Sequence, residues 1–459
     1  MSTAIFQAES YTPPRPTYPA ERLGLRQFLR ALRTNALLIW PNDAYERDVL
    51  VNRRLGRTRM LINTPEAIHR VLVENPSNYR RTAAAIRILR PITGYGVFLS
   101  EGDSWRHQRR TIAPAMAPRL IPMLARHIAA VAQETVASLR GRSNAPLNLL
   151  QEMQFAALEI AGRSMFSLEM GAFGPEMRDM LTDYATCLSR PHLLDMLLPA
   201  SIPAPRDFGR RRFQRRWMAL VNRIIDARLA SGEDAAPRDL FDLLRAARDP
   251  ETGAAFTRGQ LCDQVATMIV AGHETTAITL FWSLYLLAHT PGWQDAIAAE
   301  TAGLDLGPAG GPGALASLVQ TRAVVSEALR LYPPAFLMTR VAIGPDRAGD
   351  LEIPRGAVLM IAPWVLHRHR RLWREPDAFD PSRFLPSAPP PPRFAYLPFG
   401  AGPRICVGAQ FAMAEATLVL AALVQAFRIA LIGDQEVMPR PVITTQPDRA
   451  PDFVLSARA

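Results

Sequence analysis

The distribution of apolar positions predicts a mainly helical chain. Apolar residues recur at three- and four-residue spacing across residues 120–165 and 175–232, the period of one buried helix face. The same period predicts a long helix from Thr257 to about His289, where Thr257 and Gln260 have the pattern of a capping box. This segment is apolar on nearly all faces, so it is either buried in a core or spans a membrane.

Shorter apolar runs and turn signals predict the remaining elements. We expect short helices near residues 25–38 and 65–74, and a loop with at most a short helix at 82–104. Longer helices are expected at 316–331 and 407–427. A strand is expected at 58–62. Turn signals within 335–362 predict a small antiparallel sheet. The proline-rich residues 363–398 predict a meander that must pack on something to be ordered.

The composition predicts a protein of one large domain in a reducing compartment. The chain has 459 residues, of which 48% are hydrophobic, enough for a sizeable core. We therefore expect a single domain over 1–459, with a β-rich part at about 40–80 and 335–362. Three scattered cysteines do not form a disulfide framework. The polar, proline-rich residues 1–20 show no signal peptide or membrane anchor, so we expect a cytoplasmic protein.

The basic charge does not indicate nucleic-acid binding. The formal net charge is +11 and all 53 basic residues are arginine, but they are spread along the chain without a basic tail. Compositional bias of the genome is the favoured explanation. The dense patch from Arg210 to Arg216 is interpreted as a solvated face, with contact to a membrane surface as the minor alternative.

Candidate chemistry centres on Cys406, which ends a Gly- and Pro-rich loop and precedes a predicted helix. A thiol at a helix start lies near unpaired N–H groups that favour the thiolate. A nucleophile, an inert core thiol and a metal ligand all remain possible. One cysteine is a poor zinc or iron–sulfur site, but one thiolate suffices when a porphyrin supplies the other ligands to iron.

Polar residues in the middle of the long helix indicate a buried functional site. In the stretch Ala271–Thr276, Gly272 permits close approach to the backbone, a threonine offers a hydroxyl, and Glu274 can carry protons. Elsewhere Trp105 and Arg109 share a helix face. Taken alone, that pair is more simply a surface tryptophan with a stacked arginine.

Several motifs together resemble the cytochrome P-450 family of haem-thiolate monooxygenases. The Phe-x-x-Gly-x-Arg-x-Cys-x-Gly signature matches at Phe399, Gly400, Gly402, Arg404, Cys406 and Gly408, and continues through Ala412 and Glu415. Further matches are the Glu-x-x-Arg pair with its third partner, the central-helix motif and the Trp-x-x-x-Arg motif, at Glu327, Arg330, Arg383, Ala271–Thr276, Trp105 and Arg109. The run His367–Arg371 departs from the family pattern, which leaves the local meander structure in doubt.

The resemblance implies a fold that is mainly α with small antiparallel β-sheets, in which haem b lies between the long central helix and the helix after the cysteine loop. It implies Cys406 as the axial iron ligand, with Phe399 shielding the sulfur and Gly408 letting the backbone approach the ring. It places the haem propionates on Trp105, Arg109, Arg340 and Arg404. On the opposite side, Ala271 and Gly272 would make room for O₂, Thr275 would hydrogen-bond bound oxygen, and Glu274 would help to deliver protons.

The resemblance also implies partners. The substrate would be a hydrophobic small molecule such as a terpenoid, steroid or fatty acid, hydroxylated or epoxidised with O₂. The candidate pocket walls are Ile86, Val97, Phe98, Leu99, Met268, Ile269, Phe336, Leu337, Met338 and Ile443. Electrons would come from a separate ferredoxin and ferredoxin reductase, or a flavodoxin, steered by arginines such as Arg106 and Arg110. The soluble, bacterial type without a transmembrane anchor is expected.

Three alternatives stay open. A peroxide-dependent haem peroxygenase would share the fold, although Glu274 and Thr275 favour O₂ activation. A haem-binding protein without turnover is a second possibility, against which the distal threonine argues. A membrane protein spanning residues 266–288 is the third.

Overall fold

Helices form most of the described chain, as the apolar spacing predicts. The computed structural model describes residues 11–54, 56–230, 232, 237–433 and 436–458, so residues 1–10 of the expected N-terminal arm lie outside it. The α-helices are α1 Leu25–Thr34, α2 Pro65–His69, α3 Ala83–Thr93, α4 Gly102–Ile112, α5 Ile121–Arg140, α6 Leu149–Phe166, α7 Gly174–Asp183, α8 Leu193–Leu197, α9 Asp207–Ala230, α10 Leu240–Ala246, α11 Arg258–Ala288, α12 Pro291–Thr301, α13 Gly311–Ala314, α14 Val319–Leu331, α15 Pro363–Leu366 and α16 Ala409–Ala426.

The strands are short and form one larger sheet and three hairpin-sized ones. They are β1 Val49–Arg54, β2 Arg57–Ile62, β3 Tyr79–Arg80, β4 Met338–Ala342, β5 Asp346–Ala348, β6 Leu351–Ile353, β7 Val358–Ile361, β8 Phe427–Leu431, β9 Pro439–Pro441, β10 Thr445–Pro447 and β11 Phe453–Ala457. The five-stranded sheet has the order β1-β2-β7-β4-β3. Its pairings are antiparallel except that of β2 with β7, which is parallel. A parallel pair needs a long crossover connection, and most of the helices lie between these two strands in the chain.

The long helix α11 begins where the capping box predicts. The Thr257 hydroxyl accepts a hydrogen bond from the Gln260 N–H at 3.3 Å, and the Gln260 side chain accepts one from the Thr257 N–H at 2.9 Å. Its 31 residues pack against α3, α6, α9, α12, α14 and α16. The residues proposed as a membrane span are therefore covered by protein along most of their length.

Two apolar clusters lie along α11, one on each side of its centre. The first half, from Leu261 to Ile269, packs with α6, α9 and α10. The second half, from Ala277 to Leu287, packs with α5, α14 and α16. Residues 271–276 belong to neither cluster, and Ala271 is exposed although the helix on both sides of it is buried. The core therefore opens at the polar stretch that the sequence singles out.

One segment is more regular than the sequence predicts. Residues 83–93 form the helix α3 instead of a loop, because the Thr82 hydroxyl caps it by accepting a hydrogen bond from the Ala85 N–H at 3.3 Å. Pro91 lies near its C-terminus, where the missing N–H interrupts little of the helix.

The meander is ordered because it packs around a fully buried ion pair. Arg330 binds Glu327 through two contacts of 2.7 Å, and donates to the backbone oxygens of His367, Pro376 and Ala378 at 2.6–2.8 Å. Arg383 lies 3.5 Å from the same carboxylate. The third partner satisfies part of what a buried pair would otherwise leave unpaired.

Each residue of the unusual run His367–Arg371 contacts another part of the described chain, although Nε and Nη1 of Arg368 and Nδ1 of His369 are buried without a hydrogen-bond partner. His367 is buried between the Arg330 carbonyl and the Leu397 N–H, at 3.2 and 2.8 Å. Arg368 stacks on Trp364, with its guanidinium 3.7 Å from the ring centre. The remaining residues of the run contact the segment 45–48, by His369 to the Arg47 carbonyl, Arg370 to Glu46 and Arg371 to Asp48. The departure from the family pattern thus anchors the meander to the N-terminal segment.

By length and composition α16 could cross a membrane, and it is the one helix in the described residues that meets that test. However, 72% of its apolar window is buried inside the protein, which is typical of the core helix of a globular fold.

Candidate functional site

The loop before Cys406 has a fixed backbone path. The Cys406 N–H donates to the Phe399 carbonyl at 2.9 Å and the Gly400 N–H to the Leu397 carbonyl at 3.2 Å. Gly402 has φ +72°, and a Cβ there would lie 1.9 Å from the Leu72 carbonyl oxygen. Glycine is therefore required at 402, both for its backbone angle and for the space.

Cys406 keeps part of its surface exposed, as do the neighbouring Pro403 and Ile405. Protein atoms nevertheless surround much of the thiol group. Burial raises the pKa of the Cys406 thiol, while the Gly408 N–H and the charge on Arg109 act in the opposite direction. The sequence shows only the favourable helix start. In the folded chain, desolvation of the thiolate outweighs it unless a cation binds the sulfur.

Three arginines crowd together beside this loop. They are Arg81, Arg340 and Arg404, and burial lowers the pKa of each, with mutual repulsion adding to the shift for Arg81 and Arg340. Glu101 is the carboxylate that pairs with Arg404. Within the described residues, Arg81 and Arg340 have no ion pair within 4 Å, and the Nε of Arg81 is buried without a hydrogen-bond partner.

The charges of this cluster do not balance. Three guanidinium groups and one carboxylate leave a surplus of two positive charges in a partly desolvated environment. This surplus destabilises the fold unless an anion binds. A ligand with two carboxylates would neutralise it. Arg81 and Glu101 were not indicated by the sequence. The only signal was the paired Arg80-Arg81 before α3, which is not distinctive in a chain with 53 arginines.

Helix α4 supplies the tryptophan and arginine that the sequence paired. The guanidinium of Arg404 lies 4.5 Å from the centre of the Trp105 ring. Arg109, one turn further along, lies close enough to Cys406 for their charges to interact, and burial lowers its pKa. The structure thus brings Trp105, Arg109, Arg340 and Arg404 to the same side of the fold as the cysteine loop.

Gly408 and Phe399 flank the cysteine, and their surroundings restrict them less than those of Gly402 do. Gly408 has an ordinary φ of −91°, and an added Cβ would contact only the Met116 Cε at 3.4 Å. Phe399 is half-buried and packs against the larger apolar cluster. Their expected contacts with a ring stay predictions.

The middle of α11 presents the polar groups singled out from the sequence. The Thr275 hydroxyl donates to the Ala271 carbonyl. A Cβ on Gly272 would come within 3.0 Å of the Met165 Cε, so its missing side chain accommodates α6. Glu274 accepts hydrogen bonds from Thr444 at 3.0 Å and from Gln446, and burial raises the pKa of its carboxyl group.

An apolar cavity of about 390 Å³ lies between α1, the five-stranded sheet, α3 and the segment 189–196. Of the ten candidate wall residues, Phe336, Leu337 and Ile443 line it. Met268 and Ile269 are instead buried in the core, and Phe98 stacks on Arg81. At the rim, Arg57 donates to the carbonyls of Met196 and Leu197 at 2.9 Å.

These residues fit a haem. An exposed cysteine, a surplus of two positive charges suited to two propionates, and an opening in the facing helix lie in one region of the fold. These are the features that a haem-binding protein with a cysteine ligand requires.

Comparison with known proteins identifies the family. The sequence profile described as Cytochrome P450 matches residues 41–450. The chain is 35% identical over 399 residues to cyclooctatin synthase of Streptomyces melanosporofaciens, covering 85% of each chain. It is 32% identical over 387 residues to cyclooctat-9-en-7-ol 5-monooxygenase of the same organism, covering 83% of this chain and 82% of the relative.

A plant relative and a solved structure agree. The chain is 32% identical over 371 residues to a cytokinin hydroxylase of Arabidopsis thaliana, covering 79% and 72% of the two chains. The structure described as the crystal structure of cytochrome P450DA heme domain superposes with a TM-score of 0.82 at 24% identity, covering 98% of each chain, and so shares the fold. The chain belongs to the cytochrome P450 family. It is accordingly an oxidoreductase that depends on haem iron, on O₂ and on electrons from a redox partner.

Proposed function

We propose that this protein inserts one oxygen atom of O₂ into a hydrophobic small molecule, by hydroxylation or epoxidation, with haem b as its cofactor. The observation that carries the proposal is the opening at residues 271–276 of α11, where Thr275 and Glu274 lie between two otherwise closed apolar clusters. A thiolate-ligated haem, when bound, supplies O–O cleavage and transfer of an oxygen atom.

On the proximal side, the chain's own residues bind and orient the cofactor. Cys406 supplies the thiolate, with the Gly408 N–H as a hydrogen-bond donor to the sulfur. Arg81, Arg340 and Arg404 hold the two propionates, because their surplus charge matches two carboxylates. Trp105 stacks on Arg404 and limits its movement, and Arg109 lies beside the sulfur.

On the distal side, two residues handle protons. The Thr275 hydroxyl donates its hydrogen to the Ala271 carbonyl, so its oxygen is available to accept a hydrogen bond from a water in the opening. Burial raises the pKa of the Glu274 carboxyl group and so favours its protonated form, and Glu274 is the proton source for that water. Ala271, with its small exposed side chain, leaves the room that these groups need.

The substrate class follows from the cavity. A volume of about 390 Å³ with a predominantly apolar lining suits a molecule the size of a terpenoid, steroid or fatty acid. Two of the relatives are named cyclooctatin synthase and cyclooctat-9-en-7-ol 5-monooxygenase. Among the three classes, we therefore favour a terpenoid.

Electrons come from a separate ferredoxin with its reductase, or from a flavodoxin. Arg106 is exposed and suits docking of an acidic partner, although it also contacts Asp103. Arg110 does not suit this role, because Asp249 binds its guanidinium through two contacts of 3.0 Å. We also propose that residues 1–459 act as one haem-binding domain in the cytoplasm, where free Cys187, Cys262 and Cys406 would stay reduced.

The test combines one spectrum with one turnover assay. The reduced, CO-bound protein should show the strongly red-shifted band of thiolate ligation, and Cys406→Ser should lose it. With ferredoxin, reductase and a terpenoid that shifts the haem spin state, substrate should drive oxidation of reduced nicotinamide and form an oxygenated product.

Thr275→Ala should keep the spectrum but divert electrons away from product. Full activity with peroxide alone and unchanged coupling in Thr275→Ala would instead identify a peroxygenase. Haem binding without turnover, either with the ferredoxin system or with peroxide, would identify a non-catalytic haem protein.

A further inference from the structure

The hairpin β9–β10 contributes the side chains that hold Glu274. Its turn, residues 442–444, and the strand that follows lie over the middle of α11. The Thr444 hydroxyl donates to Glu274 at 3.0 Å, and the Gln446 side-chain amide donates to the same atom. These two donors are 170 and 172 residues away from Glu274 in the chain.

Both hydrogen bonds end on one oxygen of the carboxyl group, Oε1. An amide –NH₂ can only donate, so Oε1 must act as an acceptor. Because both donors end on Oε1, a proton carried by this carboxyl group sits on the other oxygen, Oε2, and burial, which raises the pKa of Glu274, favours that form. In the described part of the chain Oε2 accepts no hydrogen bond, and Glu274 keeps part of its surface accessible.

The same hairpin also forms part of the substrate cavity. Val442 and Ile443, directly before Thr444, line it. Thr445 anchors the turn from the other side, since its hydroxyl donates to the Pro333 carbonyl at 2.6 Å and its own carbonyl accepts from the Trp282 indole at 2.8 Å. Val442 and Ile443 therefore line the cavity, and Thr444 and Gln446 bind Glu274. Thr445, which lies between those two donors, fixes the backbone of the hairpin.

We propose that Thr444 and Gln446 are positioning residues that orient Glu274 with Oε2–H toward the opening in α11, and that substrate in the cavity acts on this orientation through Val442 and Ile443. The inference rests on the proposed role of Glu274 as proton source and adds the groups that set its geometry. This positioning requires no electron transfer and no covalent change. The hairpin only determines which oxygen of the Glu274 carboxyl group carries the proton.

Two substitutions at one position make a matched experiment. Thr444→Val keeps the size of the side chain but removes the hydroxyl that contacts Glu274, whereas Thr444→Ser keeps that hydroxyl. In the haem-loaded enzyme, Thr444→Val and Gln446→Leu should each lower the fraction of electrons recovered in product by about fivefold, the equilibrium weight of one ordinary hydrogen bond. Thr444→Ser should retain the wild-type fraction, and so should Thr445→Ser, which keeps the hydroxyl that anchors the turn.

An infrared spectrum of the resting enzyme provides a readout independent of turnover. The C=O band of protonated Glu274, assigned by its loss in Glu274→Gln, should move to higher frequency in Thr444→Val because its carbonyl oxygen loses a donor. Binding of substrate should also move this band in the wild type. An absent band, or one that Thr444→Val leaves in place, would overturn the proposal.

A double-mutant comparison separates this inference from the proposed function. If Thr444 acts through Glu274, Thr444→Val should have no further effect on coupling in a Glu274→Gln background. A persisting effect, or an equal loss in Thr444→Ser, would show a structural role and overturn the inference while leaving Glu274 as the proton source. Unchanged coupling in Glu274→Gln itself would overturn both.

Discussion

Individual side chains near Cys406 are arranged for a ligand that carries negative charge. Arg81 illustrates this best, because burial and the neighbouring arginines lower its pKa to about 9 and its Nε has no partner among the described residues. In the chain alone these charges repel one another. A haem with two propionates would convert the same repulsion into binding free energy.

Replacing Arg81 should therefore have opposite effects on the chain and on its complex. Arg81→Met should raise the melting temperature of the haem-free protein, since a buried uncompensated charge is removed. It should also weaken haem retention by roughly tenfold or more, as expected for the loss of a charged hydrogen bond. Thermal unfolding of the haem-free protein and the rate of haem transfer to apomyoglobin measure the two effects.

Arg80 provides the control, because it is adjacent, exposed and carries the same charge. Arg80→Met should change neither quantity appreciably. Equal losses of haem from both variants would mean that net charge, and not the position of Arg81, is responsible.

At the scale of elements, the loop before α16 depends on a close crossing of two backbones. Gly402 lies against the Leu72 carbonyl, with 1.9 Å to the position of an added Cβ. This crossing holds the loop against residues 70–74 and so fixes the position of the Cys406 thiol. The signature glycine thus acts by allowing two distant segments to touch.

Gly402→Ala and Gly349→Ala form a matched pair that tests this crossing. Both positions have left-handed backbone angles, φ +72° and +58°, but nothing lies within 4 Å of a Cβ at Gly349. Each alanine should cost about 1 kcal/mol for its backbone conformation. Only Gly402→Ala should also displace the loop and lower the amount of haem incorporated at saturation, measured from absorbance. Equal haem content in the two variants would contradict the crossing as the cause.

At the scale of the whole molecule, buried histidines connect distant segments in their neutral form. His367 links the end of α14 to the approach of the cysteine loop, with Nε2 accepting from the Leu397 N–H and Nδ1 facing the Arg330 carbonyl. Burial, with the charge of Arg330 adding to it, lowers the pKa of His367 to about 3.

This linkage predicts how the stability of the fold depends on pH. The unfolded chain takes up a proton on this histidine near pH 6.5, but the folded chain does so only near pH 3. The contribution of neutral His367 is thus fully present above about pH 6.5 and is lost as the pH falls toward 3, with a slope of up to about 1.4 kcal/mol per pH unit.

His367→Gln keeps an acceptor and a donor but cannot titrate. Its free energy of unfolding should be lower than that of the wild type at pH 7, and should fall less steeply between pH 6 and pH 4, in denaturant titrations at fixed ionic strength. His273, whose pKa burial lowers to about 4, provides a second titrating group, and it is unchanged in the comparison. Parallel slopes for the wild type and His367→Gln would contradict the assignment.

The sequence by itself determined the features that are encoded locally. The period of apolar residues and the capping box at Thr257 predicted α11 with its start, and the fixed spacing around Cys406 predicted the family. The role of Cys406 as the iron ligand stays a prediction. Glu327, Arg330 and Arg383 were predicted as one group and meet in the structure. Such features depend on residues within a few turns of one another, or on motifs whose spacing is distinctive.

Only the tertiary structure decided the contacts between segments far apart. Arg81 acquires its importance from Arg340 and Arg404, and Glu274 acquires its orientation from Thr444 and Gln446. The pKa of Cys406 was also misjudged from the sequence, because a helix start is visible there and the desolvation by the surrounding fold is not. Burial and electrostatic coupling depend on three-dimensional distance, and one sequence records only distance along the chain.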